Sequence, residues 1–252
     1  MECLKDKRIG ESKYNNQGEL MTIIEYYNAH NMIVKFHDTN KTKKCAYKEF
    51  DKGSITDNFY PSVCGVGYIG NTTIVKSKRK VKDSYKRWAD MLLRCYNEKY
   101  REDNIAYETC FVCDEWLCYE NFEKWYDENY YTIDEVQMNL DKDIIVKGNK
   151  IYSPETCVFV PQRINVLFTK RERLRGDYPI GVTYSKKVNK FEPQVQGCGW
   201  LGYYNTPEEA FNIYKEEKEK YIKKIADEYK NKIPLKLYDA LYKYEVEITD
   251  WD

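Results

Sequence analysis

The feature that most constrains the fold of this chain is a helix start that follows three short strand-forming runs near its C-terminal end. Thr206-Pro-Glu-Glu209 offers a threonine as N-cap, a proline at the first helical position and two glutamates in the first turn. Apolar residues then recur at helical spacing as far as Ile225. The runs before it cover residues 178–184, 190–196 and 200–204, with a hairpin turn at 185–189. This order predicts a three-stranded antiparallel sheet packed against one helix.

The N-terminal part of the chain predicts another small sheet. Residues 21–27 and 32–37 are rich in β-branched and aromatic residues, and the turn-forming Asn28-Ala29-His30-Asn31 separates them. A third short strand is predicted at 43–50. Strands at this spacing favour a small barrel or curled sheet of the SH3 kind. Both histidines, His30 and His37, lie here without a second pair of ligands, which disfavours a metal or catalytic role for them.

The central part predicts helices followed by a strand pair and a further helix. Ser84 is the predicted N-cap of a helix that continues to Cys95, because Trp88 and Leu92 recur at helical spacing. A second amphipathic helix is predicted around Phe122. The remaining order is strand, turn, strand and helix, at residues 140–143, 147–150, 152–160 and 162–167.

These patterns predict an α+β chain of three small modules in series. They are a barrel-like β module at 1–71, a central module at 72–170, and a sheet-plus-helix module with a tail at 171–252. We find no signal-peptide pattern and no apolar run long enough to span a bilayer. The nine cysteines are irregularly spaced and predict reduced thiols. We therefore expect a cytoplasmic protein without a membrane partner.

Charge is informative only when it is analysed locally, because the formal net charge is zero. Residues 76–101 contain ten Lys or Arg against three acids, and residues 163–190 contain eight against two. The stretch 102–141 between them has twelve acids and one base. Two basic stretches can let a neutral protein bind phosphate on one face, although a solvated surface is the commoner explanation for such runs.

Several short motifs stand in a fixed order in the central module. They are Trp88-x-x-Met91-x-x-Arg94-Cys95, Val112-Cys-x-Glu-Trp116, Phe122, Leu140-Asp-x-Asp143, Tyr152-Ser-Pro-Glu-x-Cys157 and Asn165. Residues 88–165 therefore resemble the degenerate HNH endonuclease modules that are common in phages. The resemblance implies a ββα fold that grips one divalent metal ion, Mg²⁺ or another, for phosphodiester hydrolysis.

The resemblance also assigns roles to individual residues. Asp141 and Asn165 stand at the metal-ligand positions on the first strand and on the helix. The base position, normally a histidine, is Lys142, and lysine is protonated at pH 7 unless it is strongly desolvated. Asp143 or a metal-bound hydroxide are the remaining candidates for the base. A scaffold kept for shape and DNA binding is therefore favoured, and metal-dependent cleavage stays open.

A structural zinc site is a weaker hypothesis for the same module. Cys110 and Cys113 have zinc-knuckle spacing, but the chain has no second pair of this kind. Cys95 and Cys157 stand among apolar residues, and free cysteine is among the most buried residue types. The pattern favours buried thiols.

The C-terminal module carries its own family resemblance. Ile180-Gly-Val, Leu201-Gly-Tyr-Tyr and Thr206-Pro-Glu-Glu-Ala resemble the ethylene-response-factor/integrase-type DNA-binding domain, whose sheet lies against the major groove. Strand alternation places Phe191, Pro193 and Val195 on the opposite face from the polar residues. The predicted DNA contacts on the sheet and in the preceding basic linker are Thr183, Lys186, Lys187, Lys190, Gln194, Gln196, Arg171, Arg173 and Arg175.

The sequence thus predicts a double-stranded DNA-binding protein of a phage or mobile element, of HNH homing-endonuclease ancestry and with lost or weakened nuclease activity. Two alternatives stay open. One is an active metal-dependent DNA nickase. The other is a phage protein that binds and inhibits a host defence protein such as a CRISPR nuclease, which the acidic middle stretch and the zero net charge favour.

Overall fold

The structure is a computed structural model that describes residues 7–76, 80–168 and 178–248. Within these residues the chain is mixed α+β, which confirms the predicted class. The elements in chain order are β1 (Ser12–Tyr14), β2 (Leu20–Asn28), β3 (Asn31–Phe36), β4 (Thr42–Cys45), α1 (Tyr47–Asp51), α2 (Asp83–Tyr96), α3 (Glu98–Asp103), β5 (Phe111–Val112), α4 (Asp114–Leu117), α5 (Tyr119–Asn129), β6 (Met138–Asp141), β7 (Ile151–Tyr152), β8 (Val158–Pro161), α6 (Gln162–Leu167), β9 (Val182–Ser185), β10 (Lys190–Pro193), α7 (Pro207–Glu228) and α8 (Leu235–Tyr242).

The chain divides into two compact units. The first unit consists of Met1–Asn129 and Lys150–Pro154, and the second of Tyr130–Asn149 and Glu155–Asp252. The predicted module boundaries after residues 71 and 170 differ from these units, which divide the predicted central module between them, and they stay predictions. No helix of the described residues is both long enough and apolar enough to cross a membrane.

The N-terminal strands of the first unit form a four-stranded antiparallel sheet in the order β1-β2-β3-β4. Its packed face follows the alternation of the sequence, with Met21, Ile23, Met32 and Val34 fully buried. The third strand predicted at 43–50 is wrong beyond Cys45. The chain turns into α1 there, because the Glu49 carboxylate accepts the backbone N–H of Ala46 at 2.9 Å and starts a helix.

The helices α2, α4 and α5 build the rest of the first unit around aromatic side chains. Trp88, Trp116 and Phe122 are fully buried, and a short parallel pair links β5 with β7. The N-cap prediction for α2 is wrong, because the helix begins at Asp83 and its N-cap is Lys82. Ser84 lies inside the first turn, where its buried hydroxyl is hydrogen-bonded to the Tyr119 hydroxyl at 2.8 Å.

The second unit combines two hydrophobic cores that share α7. The C-terminal half of α7 buries Ile222 and Ile225 together with residues of β8, α6 and α8. Its N-terminal half buries Ala210, Phe211 and Tyr214 against β9. The predicted helix start is confirmed. Thr206 caps α7 by accepting the N–H of Glu209 at 3.2 Å, and the Glu209 carboxylate accepts the Thr206 N–H in return.

The strands before α7 are shorter than the sequence predicts. The run at 178–184 forms a strand only in β9, and the run at 190–196 only in β10. The run at 200–204 contributes one antiparallel bridge, between Phe191 and Tyr204. Gly181 at φ 74° and Gly202 at φ 101° interrupt the extended conformation on either side of the hairpin.

Candidate functional site

The hairpin of β9 and β10 is the first candidate site, and its turn chemistry fixes its shape. The strands are antiparallel, with Thr183 opposite Glu192 and Ser185 opposite Lys190. Asn189 adopts φ 57° and donates its N–H to the Ser185 carbonyl at 2.9 Å, which closes the predicted turn. Asparagine tolerates this left-handed conformation better than most residues.

One face of the hairpin is packed against α7. Val182 and Val195 are buried in the core that contains Phe211 and Tyr214, and Phe191 is partly buried against it. Pro193 is also buried. This confirms the predicted inward set and directs the alternate side chains of both strands to solvent.

The other face of the hairpin is polar and exposed. The predicted DNA-contacting residues of the sheet are all exposed, namely Thr183, Lys186, Lys187, Lys190, Gln194 and Gln196. The hairpin lysines, which we define as Lys186, Lys187 and Lys190, form no ion pair among the residues that the structure describes. Glu192 is half-buried on the same face and adds one negative charge. Arg171, Arg173 and Arg175 lie outside the described residues.

The second candidate site is the carboxylate turn, which we define as Asp141, Lys142 and Asp143 at the end of β6. Asp141 Oδ1 accepts the backbone N–H groups of Asp143 at 2.9 Å and of Ile144 at 2.8 Å. Burial and the nearby Asp143 carboxylate raise the pKa of Asp141 to about 6, and these two N–H groups and Lys142 oppose the rise. The Asp141 side chain therefore stabilises the turn that follows the strand.

Lys142 is buried, which the sequence did not indicate. Its side chain is 8% exposed and its Nζ lies 3.0 Å from Oδ2 of Asp143, a carboxylate that is 45% exposed. The Asn149 amide donates to the Lys142 carbonyl at 2.7 Å and fixes the backbone at the same point. Sequence analysis missed Asn149, although an asparagine after a glycine in the predicted turn at 147–150 was a signal for such a contact.

The predicted metal ligand Asn165 lies half-buried on α6. This helix follows β8, which pairs antiparallel with β6, and α6 contacts both strands. The Asn139 amide also donates to Gln162 Oε1 at 2.7 Å. The elements that carry Asp141 and Asn165 are thus packed together.

The residues of the carboxylate turn do not fit a divalent metal ion as they stand. Such an ion needs several oxygen ligands that are not already committed. Oδ1 of Asp141 already accepts two N–H groups, and Oδ2 of Asp143 is bonded to the Lys142 ammonium. Across residues 7–76, 80–168 and 178–248, no group of three His, Cys, Asp or Glu side chains is placed to hold a metal.

The cysteines of the described residues form no disulfide. Cys110 is buried and its thiol donates to the Ala106 carbonyl at 3.4 Å, while Cys95 and Cys157 belong to the hydrophobic interior. These contacts account for Cys110 as a packed thiol.

In comparisons with known proteins, no protein-family model, curated protein or solved structure matches this chain significantly. A functional proposal therefore depends on the geometry of the two candidate sites.

Proposed function

We propose that this chain is a double-stranded DNA-binding protein of a phage or mobile element, of HNH homing-endonuclease ancestry and with lost or weakened nuclease activity. The exposed polar face of the hairpin carries this proposal. In the same proposal the N-terminal sheet is a small barrel-like module, β6, β8 and α6 are a degenerate ββα module, and β9, β10 and α7 are an integrase-type DNA reader. The protein acts in the cytoplasm of a bacterial host.

The chemistry of the hairpin supports the proposed DNA binding. The hairpin lysines are exposed and form no ion pair within the described part of the chain, so their ammonium groups can contact phosphate oxygens, which supply a large share of the affinity of DNA-binding proteins. Gln194 and Gln196 carry amides of the kind that pair with adenine in the major groove. Because the opposite face of the hairpin is packed on α7, these side chains are presented from a fixed backbone.

A salt titration of DNA binding tests the proposal. Fluorescence anisotropy with a labelled duplex should show an affinity that falls steeply with salt, with a slope of about 0.9 per phosphate contact in log–log form. Replacing all three hairpin lysines by alanine should lower the magnitude of that slope by about 3. The matched control removes three exposed lysines outside the hairpin, Lys223, Lys224 and Lys232, and should leave the slope nearly unchanged.

Absence of DNA affinity at low salt would contradict the proposal. The alternative function, binding and inhibition of a host defence protein, would then be the better explanation. An equal loss in the control variant would show that DNA binds through general positive charge and not through the hairpin.

Metal-dependent nicking is tested separately. Supercoiled plasmid is incubated with the protein and Mg²⁺ or Mn²⁺, with Asp141→Ala and Asn165→Ala as controls. We expect no conversion to the nicked form. Nicking that disappears in both variants would establish the nuclease alternative, with Asp141 and Asn165 as ligands and Lys142 or Asp143 near the base position.

A further inference from the structure

The carboxylate turn holds a positive charge of its own. Two carboxylates flank Lys142 in the chain, and the ammonium of Lys142 lies 3.0 Å from one of them. The Lys142 side chain is 8% exposed, which is unusual for lysine. A buried ammonium in such a turn needs a counter-ion, and the structure provides it in Asp143.

We propose that the Lys142 ammonium is a built-in cation that takes the place of the divalent metal in this HNH-like module. The turn then keeps its shape without metal, and the chain excludes divalent ions from it. This inference rests on the proposed function only because it treats β6, β8 and α6 as a nuclease-like module.

The geometry gives the exclusion a physical basis. A divalent ion at Asp143 would lie next to the Lys142 ammonium, which already holds Oδ2 and would repel a second positive charge there. Displacement would leave Lys142 as a buried charge without its carboxylate, which is strongly unfavourable. Asp141 offers no easy substitute, since its Oδ1 is the acceptor of two backbone N–H groups that shape the turn. Mg²⁺ in particular sheds its water ligands reluctantly and demands near-octahedral oxygen geometry.

Metal titration of the full chain tests the inference without any DNA. Mn²⁺ binding is followed by the electron paramagnetic resonance signal of the free ion, for the wild type, Lys142→Met and Lys142→Arg. We expect no Asp141-dependent Mn²⁺ binding in the wild type or in Lys142→Arg, which keeps the charge. Lys142→Met should bind Mn²⁺ tighter by at least about tenfold through the Asp143 carboxylate that it releases, and the added substitution Asp143→Asn should abolish the gain.

Two results would overturn the inference. One is Mn²⁺ binding by the wild type that Asp141→Asn removes, and the other is a folded Lys142→Met protein without any gain. Neither result depends on DNA affinity, so the failure of this inference and that of the proposed function are distinguishable.

A second measurement on the wild type covers the case in which Lys142→Met does not fold. A buried, hydrogen-bonded ammonium exchanges slowly and should give a lysine ¹H–¹⁵N correlation. Its assignment follows from its absence in Lys142→Arg. The signal should be lost or broadened in Asp143→Asn. If no lysine signal depends on both residues, the ammonium is not held in the turn and the inference is wrong.

Discussion

The two basic stretches of this chain look alike in the sequence, but their described residues use charge differently. In the first stretch Lys82 pairs with Glu123 at 2.8 Å, and Arg101 donates to the Glu108 carbonyl at 2.5 Å. In the second stretch Arg163 is also paired, with Glu228, but the hairpin lysines are exposed and form no ion pair among the described residues. A run of like charge therefore does not identify a binding surface. What distinguishes Lys82 and Arg101 from the hairpin lysines is that their charged groups already have a partner within the protein.

The largest expected effect concerns the packing of the hairpin against α7. Gly181 has φ 74°, and a Cβ placed there would lie 2.1 Å from the Tyr214 ring. Gly181→Ala should therefore lower the free energy of unfolding by about 3 kcal/mol, through backbone strain and a clash with α7. Urea unfolding measures the loss.

Gly148→Ala is the matched control, because Gly148 has φ 76° but meets no atom within 4 Å. It retains the backbone strain without the clash and should cost about 1 kcal/mol. Equal losses in the two variants would show that the hairpin is not fixed by its contact with Tyr214.

The next prediction compares the replacement of one lysine in each stretch by methionine. Lys82 and Glu123 are 22% and 14% exposed, so Lys82→Met should cost about 2 kcal/mol of stability by leaving the Glu123 carboxylate without its counter-ion. The DNA affinity of Lys82→Met should equal that of the wild type. Lys187→Met should change stability by less than about 0.5 kcal/mol and lower the salt slope of DNA binding by about 1. If Lys82→Met weakens DNA binding while it stays folded, the contrast between the stretches fails.

A pH dependence follows from the same internal pair. Burial alone would raise the pKa of Glu123, but hydrogen bonds from Lys82, Thr72 and Tyr119 outweigh it and lower the pKa below its ordinary value. A group with a lowered folded-state pKa stabilises the protein above its unfolded-state pKa, and this contribution is lost as pH falls through the folded-state value. The wild type should lose stability below about pH 4.5, measured by urea unfolding.

Glu123→Gln should show a smaller loss over the same acid range, because it has no carboxylate to protonate. Exposed Glu102 provides the control, and Glu102→Gln should follow the wild-type curve. If Glu123→Gln loses as much stability at acid pH as the wild type does, another group is responsible for most of the loss.

Sequence patterns predicted local structure better than they predicted contacts. The capped start of α7, the hairpin turn and the polar alternation of β10 depend on neighbouring residues, and all three are present. Ser84 was placed wrongly because its hydroxyl bonds to Tyr119, thirty-five positions away. The burial of Lys142 could not be predicted from its neighbours in the sequence either, since a side chain is desolvated by packing against residues that are distant along the chain. Such long-range partners leave no local pattern.

The smallest expected effect concerns the acid on the hairpin face. Glu192 lies opposite Thr183, between Lys190 and Gln194 along the strand, and its carboxylate would face DNA phosphates. Glu192→Gln should therefore tighten DNA binding by about threefold at low salt, which is less than 1 kcal/mol. Because screening weakens this repulsion, the gain should shrink as salt is raised.

Glu208→Gln in the first turn of α7 changes the net charge by the same amount at an exposed position outside the hairpin strands. A gain confined to Glu192→Gln places the phosphates at the hairpin. Equal gains would attribute the effect to net charge alone. Weaker binding in Glu192→Gln would mean that the carboxylate accepts hydrogen bonds from the partner, which is the behaviour expected of a protein surface and not of a DNA backbone.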